Sequence, residues 1–293
     1  MKLEAFAPAK VNLFLHVGPA GEDGYHPICS LMTFADLGDR LALSPTRMFD
    51  FRVEGEFAQG LSSEGDNLVV RARAAVLAAA GGSHGPFRLT LTKALPLAAG
   101  LGGGSSDAAA TLSLINRGLN LGLTDIALAR IAEGLGSDVP ACLWRRPVIA
   151  EGRGGRLRRA PHMPVLDAVL VSPRIGSCTA EVYRAFDGLG PTAPLDPPRL
   201  PQRFTTALEL ARFLLSCRND LERPAIARTP GIADVLDCVR HQAESLITRL
   251  SGSGDTCFAL CLDAAAAIRL AARLAHLQPG WWVRSCRLGA GSP

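Results

Sequence analysis

Aromatic side chains are scarce in this chain, at 5% of its 293 residues with two tyrosines in all. Each tyrosine therefore weighs more as a candidate binding residue. None of the eight cysteines forms a CxxC pair. Most lie among apolar neighbours, so buried reduced thiols are expected in place of zinc ligands or disulfides. No segment has the apolar length of a membrane span, and the opening MKLEAFAPAK reads as a strand, not a secretory signal. The expectation is a cytoplasmic protein with no membrane partner. Basic residues are not interleaved with aromatics, which argues against nucleic acid, and a net charge of +4 suits small anionic ligands.

Familiar phosphate-binding signatures are missing as well. There is no lysine-bearing P-loop, no three-glycine dinucleotide fingerprint with its acidic strand end, and no protein-kinase catalytic or metal loop. What the chain has is PLAAGLGGGSSDAAA at 96–110. Gly100, Gly102, Gly103 and Gly104 lack a Cβ, so their amides can approach an anion from left-handed conformations. Ser105 or Ser106 can cap the alanine-rich helix that follows, and that helix N-terminus adds partial positive charge. Bounded by the alternating Phe87, Leu89 and Leu91 and by the helix, the stretch is a phosphate cradle rather than a linker.

A hydrophobic share of 48% and a charged share of 20% describe an ordinary globular chain, long enough for two domains with real cores. Strands are read at Ala5 to Val17, Arg40 to Leu43 and Phe51 to Glu54. A helix opened by Asp66 and Asn67 ends at Gly81 and Gly82. The strand FRLTLTKALP leads into the glycine loop, Thr124 caps a later helix ending near Gly136, and a hairpin with a GRGG turn follows. The second half opens with DAVLVSP, crosses the proline-laden loop GLGPTAPLDPPRLPQR, and continues with helices at 204–216 and 231–243. It closes with the turn SGSGD, a strand, the helix AAAAIRLAARLAHL and a last strand. Strands backed by helices make an α+β architecture in both halves, divided as 1–155 and 156–293.

PAKVNLFLHV at 8–17, the glycine loop, and SGSGDTCFAL at 251–260 resemble, in order and spacing, the three motifs of the GHMP kinase superfamily. The resemblance implies a ribosomal S5 domain 2-like N-terminal domain, an α/β-sandwich C-terminal domain, and an active site between them. DGYHPICSLM at 23–32, DNLVVRA at 66–72, LGSDVPACL at 135–143 and NDLERPA at 219–225 are similar to members acting on a cytidine diphosphate-linked polyol. The implied donor is ATP with Mg2+, and the implied partner is that small-molecule cytidine diphosphate substrate. Two alternatives stand beside this reading. One is a superfamily kinase for homoserine, mevalonate or a sugar; the other is a non-catalytic nucleotide-binding module, which needs neither Lys10 nor Asp138.

The resemblance makes Asp138 the general base toward the acceptor hydroxyl, with Lys10 offsetting charge on the transferring phosphoryl group. Read alone, Asp138 before Val-Pro-Ala is a helix N-cap. Pro96, Leu97, Ala98, Ala99, Gly100, Leu101, Gly102, Gly103, Gly104, Ser105 and Ser106 would line the ATP phosphates. Ser105 or Ser106 either meets magnesium or merely caps. Asn67 and Lys93 match the adenine end, or else are a cap and a strand-end charge. Asn12 shares the strand face of Lys10 and can orient substrate hydroxyls. Tyr25 and His26 match a cytosine-binding pair, and Tyr183 a second aromatic completing the stack; alone, His26 reads as a turn histidine satisfied by backbone. Met32 stands where an aromatic is common. Asp255 replaces an expected small residue, which leaves the charge of the last loop open. Asp107 suits a helix N-terminus but would face bound phosphates, so it is read as structural. The arginines at 145, 146, 153, 156, 158 and 159 are expected to be mostly solvated, with one or two meeting the substrate diphosphate.

Overall fold

Strand β2 (Ile28–Pro45) organises the computed structural model, which describes residues 2–61, 67–82, 84–190 and 193–290. One edge of β2 pairs antiparallel with β1 (Leu3–Val17) along most of its length. The other edge is shared in turn by three partners: β5 (Val148–Gly152), β10 (Trp282–Leu288) through the single pairing of Leu288 with Ala35, and β4 (Phe87–Lys93). Beyond β4 lies the parallel β3 (Asp50–Gly55), and β6 (Arg156–Arg159) closes a hairpin on β5. On the far side β10 pairs with β7 (Leu166–Ser172), β7 with β9 (Cys257–Leu260), and β9 with β8 (Ile247–Leu250), all antiparallel. Among the described residues these make one ten-stranded sheet.

Only Arg40 to Leu43 of β2 was expected as strand. The segment before it, ICSLMTFA, is buried throughout, so it shows no polar alternation to read. The same two-sided burial appears in β7: Leu166, Ala168 and Leu170 enter one core and Val169 and Val171 another.

Helices α1 (Leu68–Ala80), α2 (Gly103–Gly118), α3 (Asp125–Leu135) and α4 (Val139–Trp144) cover the β1–β6 part of the sheet. Their shared core includes Phe34, Leu41, Leu91, Leu112 and Ile115. The second half carries α5 (Thr179–Asp187), α6 (Ala207–Leu215), α7 (Glu222–Arg228), α8 (Gly231–Arg240) and α9 (Ala264–Leu277). Oxygen caps start many of these helices: Asn67 accepts from the Val69 amide, Thr124 from Ala127, Thr206 from Glu209 and Asp263 from Ala266. Each such cap is worth about 1 kcal/mol. Asp66, expected to share the first cap, lies outside the described residues.

Helices α5 and α7 and strand β8 were not anticipated; α7 and β8 are too short to display a period, and α7 holds Pro224 in its first turn. The proline-laden loop forms no helix or named strand among its described residues. It is nonetheless fastened: the His16 Nδ1–H donates to the Asp196 carbonyl at 3.0 Å, and the Phe204 amide donates to the His162 carbonyl at 2.8 Å with its ring buried.

Candidate active site

Strand β1 slips register against β2 twice, between Pro8 and Lys10 and again between Asn12 and Phe14. Bulges of this kind re-aim side chains. The stretch between them directs Lys10 and Asn12 into a cavity of about 1210 Å³. Its backbone joins the other two motifs, the Lys10 amide donating to the Leu101 carbonyl at 2.8 Å and the Asn12 amide to Ser251 Oγ at 3.1 Å.

Lys10 is 5% exposed, and its Nζ lies 2.9 Å from Asp138 Oδ2 and 2.7 Å from Asn12 Oδ1. The Asn12 Nδ2 group donates to Ser30 Oγ at 2.7 Å, and the Ser30 hydroxyl donates to the Phe14 carbonyl at 2.6 Å. Asn12 is thus engaged at both ends of its amide, and its first task is to hold the lysine. Asp138 occupies the N-cap position of α4 but makes no side-chain cap hydrogen bond. Its carboxylate is turned to Lys10 instead, so geometry does not support the cap reading.

In the glycine loop Gly100 (φ 78°) and Gly102 (φ 61°) are left-handed, whereas Gly103 and Gly104 are already helical. Gly102 is the N-cap of α2, so the expectation that Ser105 or Ser106 caps this helix is corrected. Both serines fall within its first turn, Ser105 on the cavity wall and Ser106 buried with no hydrogen-bond partner for its hydroxyl among the described residues. A Cβ on Gly100 would stand 2.5 Å from the Ser251 carbonyl oxygen, and one on Gly254 would overlap the Gly100 amide. First and last glycine loops therefore interlock backbone against backbone, with the Thr256 amide donating to the Ala99 carbonyl at 3.1 Å.

Behind this loop Lys93 forms ion pairs with Asp39 and, at 2.9 Å, with Asp107, all three side chains being buried. Asp39 also accepts from the amides of Ala94 at 2.6 Å and Leu95 at 2.9 Å. Burial pushes the Asp107 carboxyl well above the ordinary carboxylate range, against the pull of the Lys93 ammonium. The acid that seemed ill-placed beside phosphates faces this buried cluster. Lys93 borders the cavity with its ammonium occupied by carboxylates, while Asn67 is the α1 cap and does not line it.

At the opposite end His26 sits 5.2 Å from the Tyr183 ring and edge-on to Phe186 at 5.6 Å. Its Nδ1–H donates to the Gly18 carbonyl at 2.8 Å, and its Nε2 lies 3.2 Å from Asp187 Oδ1. Burial, and after it the Asp138 charge, raise the Tyr183 hydroxyl to about 12, so that ring stays neutral. Tyr25 is 60% exposed and backed by the Arg153 guanidinium, 4.3 Å from its ring centre, which also pairs with Asp23. Met32, opposite Asn12 on β2, is a buried piece of wall. Of the six clustered arginines Arg153 borders the cavity, and so does Arg184, which sequence reasoning did not pick out. Ser30 and Asp39 were also missed. Their partners lie on other strands and loops, a proximity no local pattern announces.

A mixed sheet bearing a glycine cradle, a buried lysine paired with a half-buried aspartate and a second interlocked glycine loop defines a small-molecule kinase of the GHMP class. Residues 67–146 match the family described as GHMP kinases N terminal domain, and residues 205–278 match GHMP kinases C terminal, together more than half of the chain. The 4-diphosphocytidyl-2-C-methyl-D-erythritol kinase of Caulobacter vibrioides is 52% identical over 290 residues, covering 98% of this chain and 100% of the relative. The crystal structure of a 4-(cytidine 5'-diphospho)-2C-methyl-D-erythritol kinase superposes with a TM-score of 0.77 at 32% identity, covering 99% of this chain and 100% of that one. A homoserine kinase from Cytophaga hutchinsonii, 20% identical with a TM-score of 0.70 over 99% of this chain and 96% of its own, shares the fold alone. The chain belongs to the GHMP kinases and, among them, to the 4-diphosphocytidyl-2-C-methyl-D-erythritol kinases.

Proposed function

We propose that the protein transfers the γ-phosphate of ATP to the 2-hydroxyl of 4-diphosphocytidyl-2-C-methyl-D-erythritol, releasing ADP. The observation that carries this reading is the Lys10–Asp138 pair, 2.9 Å apart, in a cavity lined both by the glycine loop and by Tyr25, His26 and Tyr183. The loop amides and the N-terminus of α2 receive the phosphates. The cytosine stacks among the aromatic side chains. Asp138 takes the hydroxyl proton at its carboxylate, and Lys10, held by Asn12, places positive charge where the phosphoryl group passes.

A carboxylate suffices as base, since phosphoryl transfer is loose and the proton leaves late. Arg153 and Arg184 border the cavity, and their guanidinium groups suit the substrate diphosphate. A magnesium ion held at the loop would offset the negative charge of the ATP phosphates. The Ser105 and Ser106 hydroxyls are the side-chain oxygens of the loop that suit it, the latter buried without a partner among the described residues. The division between nucleotide and substrate halves falls near residue 155 in this reading. A cytoplasmic setting fits eight free thiols.

Release of ADP across a panel of acceptors tests the assignment. Turnover is expected with the cytidine substrate and not with homoserine, mevalonate or galactose. Turnover confined to one of the latter three would overturn it.

A further inference from the structure

Asp255, in the last glycine loop, is buried and does not border the cavity. Its Oδ1 accepts from the Ser172 hydroxyl at 2.9 Å, and its Oδ2 from the amides of Ile175 at 3.0 Å and Gly176 at 2.7 Å. Arg174, beside those donors, pairs with Glu56 instead. The carboxylate thus rests on neutral donors, and burial pushes its pKa up. A small apolar residue would fill the position at far less desolvation cost.

What the carboxylate holds is a turn in which Arg174 (φ 60°) and Gly176 (φ 77°) are both left-handed. Such a conformation at a non-glycine residue persists when its surroundings over-determine it. The turn leads directly into α5, whose N-cap residue Cys178 makes no side-chain cap hydrogen bond. The helix entrance is fastened to the last loop instead: the Ser177 hydroxyl donates to the Ser253 carbonyl at 2.9 Å, and the Thr179 and Ser253 hydroxyls share a hydrogen bond of 2.9 Å. From α5, Tyr183, Arg184 and Asp187 reach the cavity. The phosphate loop meets this turn at one point, the Ser177 amide donating to the Ala98 carbonyl at 3.0 Å, and is held further along by two other anchors, the Thr256 amide on the Ala99 carbonyl and the Lys10 amide on the Leu101 carbonyl.

We propose that Asp255 is a positioning residue for the pyrimidine end of the site: it fixes the 173–177 turn and so sets where α5 presents Tyr183 opposite His26. The inference rests on the cytidine reading above. Calorimetric titration with CDP and with ADP tests it in wild type, Asp255→Ala, Asp255→Asn and Ser172→Ala, each with its melting temperature. An asparagine oxygen can accept from both amides while its nitrogen donates to Ser172 Oγ, so the conservative variant keeps the geometry.

Asp255→Ala is expected to weaken CDP about tenfold and ADP less than about twofold, with Asp255→Asn recovering most of the CDP affinity. Ser172→Ala, which stays folded if the alanine variant does not, shifts CDP the same way by about threefold. Three results would each overturn the proposal: CDP affinity unchanged in Asp255→Ala and Ser172→Ala, CDP and ADP weakening together in step with melting temperature, or Asn no better than Ala. Wild type that binds ADP but not CDP would instead remove the cytidine reading, and this inference with it.

Discussion

Lys10 and Lys93 are two of the three lysines in the chain, and both are buried. Elsewhere the chain meets its need for positive charge with arginine. A compact ammonium suits the two sites where one point charge must face carboxylates within a packed interior. At Lys10 the partner is the carboxylate assigned as base, so Asp138→Asn is predicted to lower kcat by about 10²- to 10⁴-fold while ADP affinity, read by calorimetry, stays within about twofold. Near-normal turnover would leave Asp138 as no more than a helix start. At the pyrimidine end Tyr183→Ala is predicted to raise KM for the cytidine substrate about tenfold, in line with the loss of one stacking face, with KM for ATP unchanged. An unchanged KM for the cytidine substrate would take Tyr183 out of the pocket. Lys10, Asp138, Tyr25, His26 and Tyr183 were picked out through the family resemblance, since Asp138 alone reads as a helix cap and His26 alone as a turn histidine; the structure brings all five to one cavity. Asp39 was not legible. It meets Lys93 from 54 positions away, and an acid at that strand position looks like any other exposed charge until the sheet buries it.

The Asp39–Lys93–Asp107 cluster braces three elements, β2, the end of β4 and α2 just past its first turn, directly behind the phosphate loop. Burial keeps the Asp107 carboxyl high, with the Lys93 ammonium pulling it down and the neighbouring Asp39 carboxylate pushing it up again. A carboxyl whose folded pKa is raised holds its proton longer in the folded chain than in the unfolded one. Between the two values the folded state binds more protons, so stability present at low pH is lost as pH rises through the folded value. Urea midpoints should therefore fall between about pH 5 and 8 in the wild type, and fall less in Asp107→Asn, which cannot ionise. Equal slopes in the two proteins would show that Asp107 is ionised throughout. The helix that carries this acid was foreseen, but its opening was not: a left-handed Gly102 starts it where a serine was expected. Glycine conformation depends on what crowds the backbone, here the Lys10 side chain, 3.1 Å from where a Cβ on Gly102 would stand, and that crowding is tertiary.

Taken whole, the molecule joins two helix-backed sheet segments through one backbone pairing, Leu288 with Ala35, and places the cavity among loops drawn from both. The α+β class and the order of most elements followed from periodicity and caps. The continuity of the sheet did not, since a strand buried on both faces, as in the first half of β2, carries no alternating pattern. None of the eight cysteines is paired, and six are buried, as their apolar neighbours implied. Every motif that carried the kinase resemblance contributes a residue to the same cavity, and the proposed mechanism puts the acceptor alcohol beside Asp138. Phosphorus-31 NMR of the product formed from ATP and 4-diphosphocytidyl-2-C-methyl-D-erythritol tests that placement most directly. The 2-carbon of this polyol bears the methyl group and no hydrogen, so a phosphate on its oxygen has no proton near enough to split its signal. A new monoester resonance without proton splitting is predicted; a doublet or triplet, placing phosphate on a secondary or primary hydroxyl, or no monoester at all, would contradict it.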